Sequence, residues 1–404
     1  MIDKTIGYGY NDLTVVPAVS SSVNTRKECN PFNADGNLPI FTAPMSSVIN
    51  ENNIQIWEAN KIIPIIPRSV NFEDRIKYFN DEKFRWVAVS MAEFTDLFIL
   101  KNPVTYLNYR TTEFFVLIDV ANGHMESLYD MCNTAYELAD KHGYTLHLMI
   151  GNIANPKTYD YICRNVKCEY VRIGIGSGAG CTTSSNTSVH YPMATLINEC
   201  ANIKDNLLGM HYQCPAIIAD GGIRNYCDVI KALALGADYV MIGGLFAGLL
   251  ESAGTVSSIF KDFYYNEKTG QITIFYGPEE SEEDNEEFSD DIYNIWDLNE
   301  DEIRKRNLVK YYELYKDFYG MSTKTAQKLI NKDAKLKTAE GCHKTYEVKA
   351  TVNQWTSRRM SYTATPSYRK TETGNASIAI TTATTGPTIC SSTRASTKAA
   401  QSSF

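Results

Sequence analysis

Short apolar runs that break at Gly, Asp, Asn or Pro recur through the first 245 residues, with longer stretches of helical periodicity between them. The runs span residues 38–42, 62–66, 86–90, 114–119, 145–151, 170–174, 216–220 and 239–243. Helical patterns fill the gaps, for example at 127–141 and 191–203, with a shorter one at 225–235. Such alternation is the βα rhythm of a parallel sheet whose strands are covered on both faces. Eight units fit a TIM (β/α)8 barrel of class α/β better than a doubly wound sheet, whose usual strand count is lower. In such barrels the chemistry sits at the C-terminal ends of the strands. Those ends read Ala43-Pro44-Met45, Asp119-Val120-Ala121-Asn122-Gly123, Gly151-Asn152, Gly174-Ile175-Gly176-Ser177-Gly178, Asp220-Gly221-Gly222 and Gly243-Gly244, polar or glycine-rich where plain connections need not be.

A chain of 404 residues, 44% hydrophobic, has ample material for such a core. Its formal net charge of −8 gives a nucleic-acid backbone nothing to bind, so no nucleic-acid partner is expected. A small anionic substrate is still accommodated, because local backbone amides outweigh the global charge. The ten cysteines are scattered without a Cys-x-x-Cys pair and read as reduced thiols of a cytoplasmic protein. No apolar stretch is long enough to span a membrane, and the start has no leader pattern.

Two segments fall outside the rhythm. An acidic run at 277–291, within an insertion at about 265–305 after strand eight, reads as a solvated surface excursion. The tail at 361–404 is roughly two-fifths Ser and Thr and is expected to be disordered. The organisation read from this is one barrel domain over residues 1–360, with a flap at about 321–350.

The segment at 172–183, RIGIGSGAGCTT, carries the most chemistry. Glycines at 174, 176, 178 and 180 let the backbone approach a ligand or ion closely, and Cys181 follows on the same loop. It is not the dinucleotide fingerprint, because Ala179 stands at the third glycine's place, and no P-loop Lys-Ser or Lys-Thr follows. On spacing alone Cys181 is either a nucleophile or a packed thiol. Asp220, Gly221-Gly222 and Gly243-Gly244 lie at the ends of strands seven and eight, where TIM barrels commonly bind phosphate; tight βα turns are the plainer reading of the glycines. A mouth carboxylate without local partners, as Asp220 is expected to be, holds a ligand hydroxyl.

Six segments in order, LPIFTAPMSSV, FVLIDVANGH, RIGIGSGAGCTT, IIADGGIRNYCDVIKALALGADYVMIGGLFAG, FYGMST and KTAEG, resemble the barrel motifs of the IMP dehydrogenase and GMP reductase family. The resemblance runs from about residue 5 to about residue 350 and is broken by the acidic insertion. It implies a purine mononucleotide (GMP or IMP) as partner, attacked at C2 by Cys181. It further implies that Asp220 holds the ribose, that Gly222, Gly243 and Gly244 offer amides to the 5′-phosphate, and that Met45 packs near the base. Met321, Ser322 and Gly341 complete the substrate side. Asp119, Asn122 and Gly123 lie where the family's nicotinamide cofactor docks, and the carbonyls of Gly176, Gly178 and Cys181 match a loop that holds a monovalent cation such as K+. The family's assembly implies a homotetramer.

The chain departs from the family at Ala179, where dehydrogenases usually carry a phosphate-binding Ser, so phosphate contacts are fewer or come from Ser322 or Thr182. Ala43 also replaces a frequent Ser, and Lys337 a frequent Arg. The dehydrogenase activates water with an Arg-Tyr pair on its flap. Here Lys328-Leu329 stands near that place, no CBS pair is inserted after strand two, and CTT, FYGMS and DVANGH look like the reductase. The resemblance therefore implies NADPH-dependent reductive deamination of GMP, with Thr183 and Glu340 handling protons. Arg172 dissents, since reductases often have Lys there. The alternatives are an IMP dehydrogenase using NAD and a nucleotide sensor without turnover.

Overall fold

The computed structural model describes residues 7–25, 28–80, 85–107, 112–257, 261–266, 272–276, 308–310, 315–321, 323–330, 342–347, 351–359, 366–370 and 376–380. All eight expected strands are present: β1 (Ile40–Thr42), β2 (Ile65–Ile66), β3 (Trp86–Val89), β4 (Glu113–Ile118), β5 (Thr145–Ile153), β6 (Tyr170–Ile173), β7 (Ala216–Asp220) and β8 (Tyr239–Ile242). They form one parallel sheet, each strand beside the next, with β8 paired to β1 (Ile40 opposite Val240). Closure between β1 and β2 runs through a bridge of Phe41 with Ile63 and through the Ile65 N–H, which donates to Thr42 Oγ1 at 3.1 Å. The result is a TIM barrel. The run at 62–66 yields only two regular strand residues because Pro64 has no N–H to give the ladder.

Helices between the strands begin and end on residues suited to it. Asn155 caps Pro156–Asn165 by accepting from Lys157 N, and Pro156 opens that helix where its missing N–H costs nothing. Asn225 and Asp228 form a reciprocal capping box on Tyr226–Ala234. Glu126–His142 stops at Gly143 in the left-handed region, φ 73°, whose N–H returns to Ala139 O. The helix read at 191–203 starts two residues later and runs on, as Met193–Gly209.

The barrel interior is closed at its N-terminal end by rings from four strands. Phe41, Trp86, Tyr170 and Tyr239 pack edge-on or tilted, with centroids 5.0–6.3 Å apart. Above them Ile65, Ala88, Leu117, Met149, Ile218 and Met241 fill the interior, so the barrel is solid below its mouth. At the mouth lies a three-stranded antiparallel sheet of Val256–Ser257, Tyr315–Tyr319 and His343–Glu347. The helix Val352–Arg359 packs Trp355 edge-on against Phe246, centroids 5.1 Å apart.

The tail departs from expectation. Pro366–Lys370 and Ala376–Ile380 are paired strands, the second running parallel to Val15–Pro17. Alternation in Ala-Ser-Ile-Ala-Ile is a short period-two pattern that the Ser/Thr-rich composition around it masks. The acidic run at 277–291 lies outside the described residues. No described helix is long and apolar enough to cross a membrane.

Candidate active site

The loop after β6 turns back over the mouth. Gly174 and Gly176 hold φ of 126° and 77°, conformations that residues with a Cβ rarely adopt. Cys181 ends the turn, its N–H donating to Gly178 O at 3.0 Å, and its side chain is exposed. Its Sγ lies 3.1 Å from Thr183 Oγ1. The packed-thiol alternative therefore fails for Cys181, whereas Cys132, Cys163 and Cys200 are buried. Burial pushes the Cys132 thiol up to about 12, which keeps it inert.

Beneath this loop a buried guanidinium organises the mouth. Arg172, on β6, reaches Asp119 Oδ1 with one terminal nitrogen at 2.9 Å, and Asp220 Oδ2 with the other at 2.9 Å and with Nε at 3.2 Å. Asn152 Nδ2 also donates to Asp220 Oδ2, at 2.7 Å, and to Gly174 O at 2.9 Å. Burial alone lowers the Arg172 pKa, but the two carboxylates outweigh it and hold the guanidinium above its ordinary value. This corrects the expectation that Asp220 lacks local partners: Oδ2 is saturated, and among the described residues Oδ1 is the atom left for a ligand hydroxyl. The sequence carried Arg172 only as a family marker and gave Asn152 no role. A signal was present for Arg172, the one charged residue of β6, whereas Asn152 shares β5 with Thr145 and His147 and does not stand out.

The predicted phosphate-side residues also converge. A methyl group placed on Gly243 would stand 3.0 Å from Met45 Sδ, and one on Gly244 would stand 2.9 Å from Ala179 Cβ. Gly222 packs against Tyr10 and Met193. Among the described residues, the amides of Gly222, Gly243 and Gly244 donate to no protein acceptor. Gly180 meets Gly320 with no room for a side chain, and Cys342 N donates to Gly180 O at 3.2 Å. Met321 follows Gly320 directly. Ser322, Glu340 and Gly341 lie outside the described residues.

On the opposite side, the turn after β4 carries the predicted cofactor residues. Asn122 is exposed; its Oδ1 accepts from His124 N at 3.0 Å, leaving its amide nitrogen available among the described residues. Gly123 uses its N–H on Asn152 O and its C=O on Tyr129 Oη, so its contribution is close approach of β4 to β5. His124 Nε2 accepts from Ala154 N at 3.1 Å, which fits a ring whose pKa burial lowers. An exposed amide beside a fixed carboxylate, Asp119, gives this side of the mouth two polar groups for a ligand. In the β6 loop, Gly176 O accepts from Ser184 Oγ at 2.9 Å and Gly178 O from Cys181 N, which leaves each carbonyl a second lone pair for a cation.

Residues 101–290 match the family described as the IMP dehydrogenase / GMP reductase domain. The chain is 34% identical over 195 residues to GMP reductase of Caenorhabditis elegans, covering 44% of this chain and 51% of that protein. It is 33% identical over 191 residues to GMP reductase of Onchocerca volvulus, covering 47% and 45%. The chain thus spans about half the length of these two relatives. Against human GMP reductase 1 the identity is 26% over 287 residues, covering 68% and 77%. Within the matched stretch, Cys181, Asp220 and the paired glycines all face the same mouth.

Proposed function

We propose that the chain is a purine nucleotide oxidoreductase that converts GMP to IMP and ammonia with NADPH through a covalent Cys181 adduct. The observation that carries this reading is the exposed Cys181 thiol 3.1 Å from the Thr183 hydroxyl, above a carboxylate locked by Arg172. The Cys181 thiolate attacks C2 of the purine, forming a C–S bond. The C2–amine bond breaks, and the amine leaves as ammonia with a proton supplied by Glu340 and relayed by Thr183. Asp119 and Asn122 would hold a nicotinamide cofactor, which would supply the hydride needed at C2. Sulfur departs as thiolate, the C–S bond breaks, and IMP is released. Asp220 Oδ1 holds the ribose while Gly222, Gly243 and Gly244 present amides to the phosphate. Carbonyls of Gly176, Gly178 and Cys181 offer a seat for K+, and the active unit is a homotetramer.

Arg172 favours a second reading, IMP dehydrogenase, which oxidises IMP with NAD and water. One assay separates them. The protein is mixed with GMP and NADPH, and separately with IMP and NAD, while nicotinamide absorbance is followed. Loss of absorbance in the first mixture is expected; a gain in the second assigns the dehydrogenase, and no change in either leaves a nucleotide-binding protein without turnover. Glu340→Gln is expected to suppress ammonia release sharply while GMP still binds. Unaltered ammonia release would remove Glu340 from the scheme.

A further inference from the structure

Ala179 leaves the nucleotide site without the side-chain hydroxyl that dehydrogenases usually carry at this position. Of the two substitutes read from the sequence, Thr182 Oγ1 accepts from Asn186 Nδ2 at 3.3 Å, which turns it toward the helix that follows Cys181, and Ser322 lies outside the described residues. Another hydroxyl stands at the spot. A methyl group built on Gly244 would lie 2.9 Å from Ala179 Cβ and 3.3 Å from Tyr346 Oη, so Ala179 and Tyr346 flank one point beside the free amides of Gly243 and Gly244.

Tyr346 is held there firmly. It sits on the strand His343–Glu347, which pairs with Tyr315–Tyr319, and its ring packs edge-on against Phe318 with centroids 5.4 Å apart. Phe318 is itself buried among Gly180, Gly243 and Gly244. Cys342 anchors the same segment on the Cys181 loop, through its N–H to Gly180 O and its Sγ to Ala179 O at 3.3 Å. The Tyr346 hydroxyl is only partly buried and makes no hydrogen bond among the described residues. Burial raises its pKa, so it stays a protonated donor, and the Arg224 guanidinium is near enough to oppose that rise and to add positive potential. A rigid, protonated, unspent donor beside unspent amides is what a phosphate requires.

We propose that Tyr346 binds the 5′-phosphate of the substrate, its hydroxyl taking over the contact that Ala179 cannot make. The inference rests on the reading of a purine mononucleotide as substrate. The test is calorimetric titration of the full chain with GMP and with guanosine, for wild type, Tyr346→Phe and the double variant Ala179→Ser/Tyr346→Phe. Tyr346→Phe should weaken GMP binding about ten-fold or more, the usual loss for a hydrogen bond to a charged group, and leave guanosine unchanged. The double variant should recover affinity for GMP. Unchanged GMP binding in Tyr346→Phe would overturn the inference while the substrate reading stands, as would equal weakening of GMP and guanosine. A double variant no tighter than Tyr346→Phe would overturn the exchange between the two positions. Wild type that binds neither GMP nor IMP would overturn the substrate reading, and this inference with it.

Discussion

Arg172 is the residue on which the mouth turns. Its side chain is 9% exposed and it is the common partner of two carboxylates from different strands, Asp119 and Asp220. Removing it leaves both buried with reduced compensation, the circumstance in which breaking a buried pair costs about 3–5 kcal/mol. Arg172→Met is therefore expected to lose about that much unfolding free energy in urea titration and, on the proposed function, to weaken nucleotide binding because Asp220 loses its fixed orientation. Arg172→Lys should fall between, since a single ammonium cannot serve Asp119 and both contacts to Asp220 Oδ2 at once. A Met variant as stable as wild type would show that the carboxylates tolerate each other unaided. Cys181 and Asp220 were legible in the sequence because glycines surround them; Arg172 was not, because its meaning lies in two partners distant in sequence, 53 and 48 residues away.

At the scale of elements, the eight strands were legible because apolar runs of this length are buried on both faces and cannot be mistaken for loops. Boundaries were less so: β5 continues two residues past Gly151, and Pro64 interrupts the second run. The pairing of Tyr346 with the mouth was illegible, because a strand that returns after an insertion leaves no local pattern of where it docks. One strand carries a pH dependence of its own. His147, on β5 at the N-terminal end, lies between Glu169 Oε2 at 2.7 Å and Glu113 Oε1 at 2.8 Å, and stacks on Phe115. Burial works against its charge, yet the two carboxylates prevail and raise its pKa above 6.5. The stabilisation is fully present below the unfolded value and is lost as pH rises through the raised folded value. His147→Gln should remove that dependence: wild type should lose more stability than the variant between pH 6 and pH 9, read as urea midpoints. Both glutamates are more than a third exposed, so the effect is modest and shrinks with salt.

The whole molecule divides stability from chemistry along the barrel axis. Its N-terminal end is closed by Phe41, Trp86, Tyr170 and Tyr239, while its C-terminal end carries Arg172, Asp220, Cys181 and the paired glycines. Trp86 is 4% exposed and meets Phe41, Phe115 and Tyr170 edge-on, so Trp86→Ala leaves a cavity that its rigid neighbours cannot fill. A loss of about 3–5 kcal/mol is expected, as for other large aromatic truncations. Because the layer of Ala88, Leu117, Met149 and Ile218 stands between that cavity and the mouth, the proposed function predicts that the variant binds GMP as wild type does wherever it remains folded. The two variants then behave oppositely under one measurement. Saturating GMP at about a hundred times Kd adds about 2.7 kcal/mol to the stability of any form that binds it normally. Trp86→Ala should keep that increment in full, whereas Arg172→Met should lose much of it. Equal increments in both would mean that the carboxylate network and the nucleotide site are energetically separate.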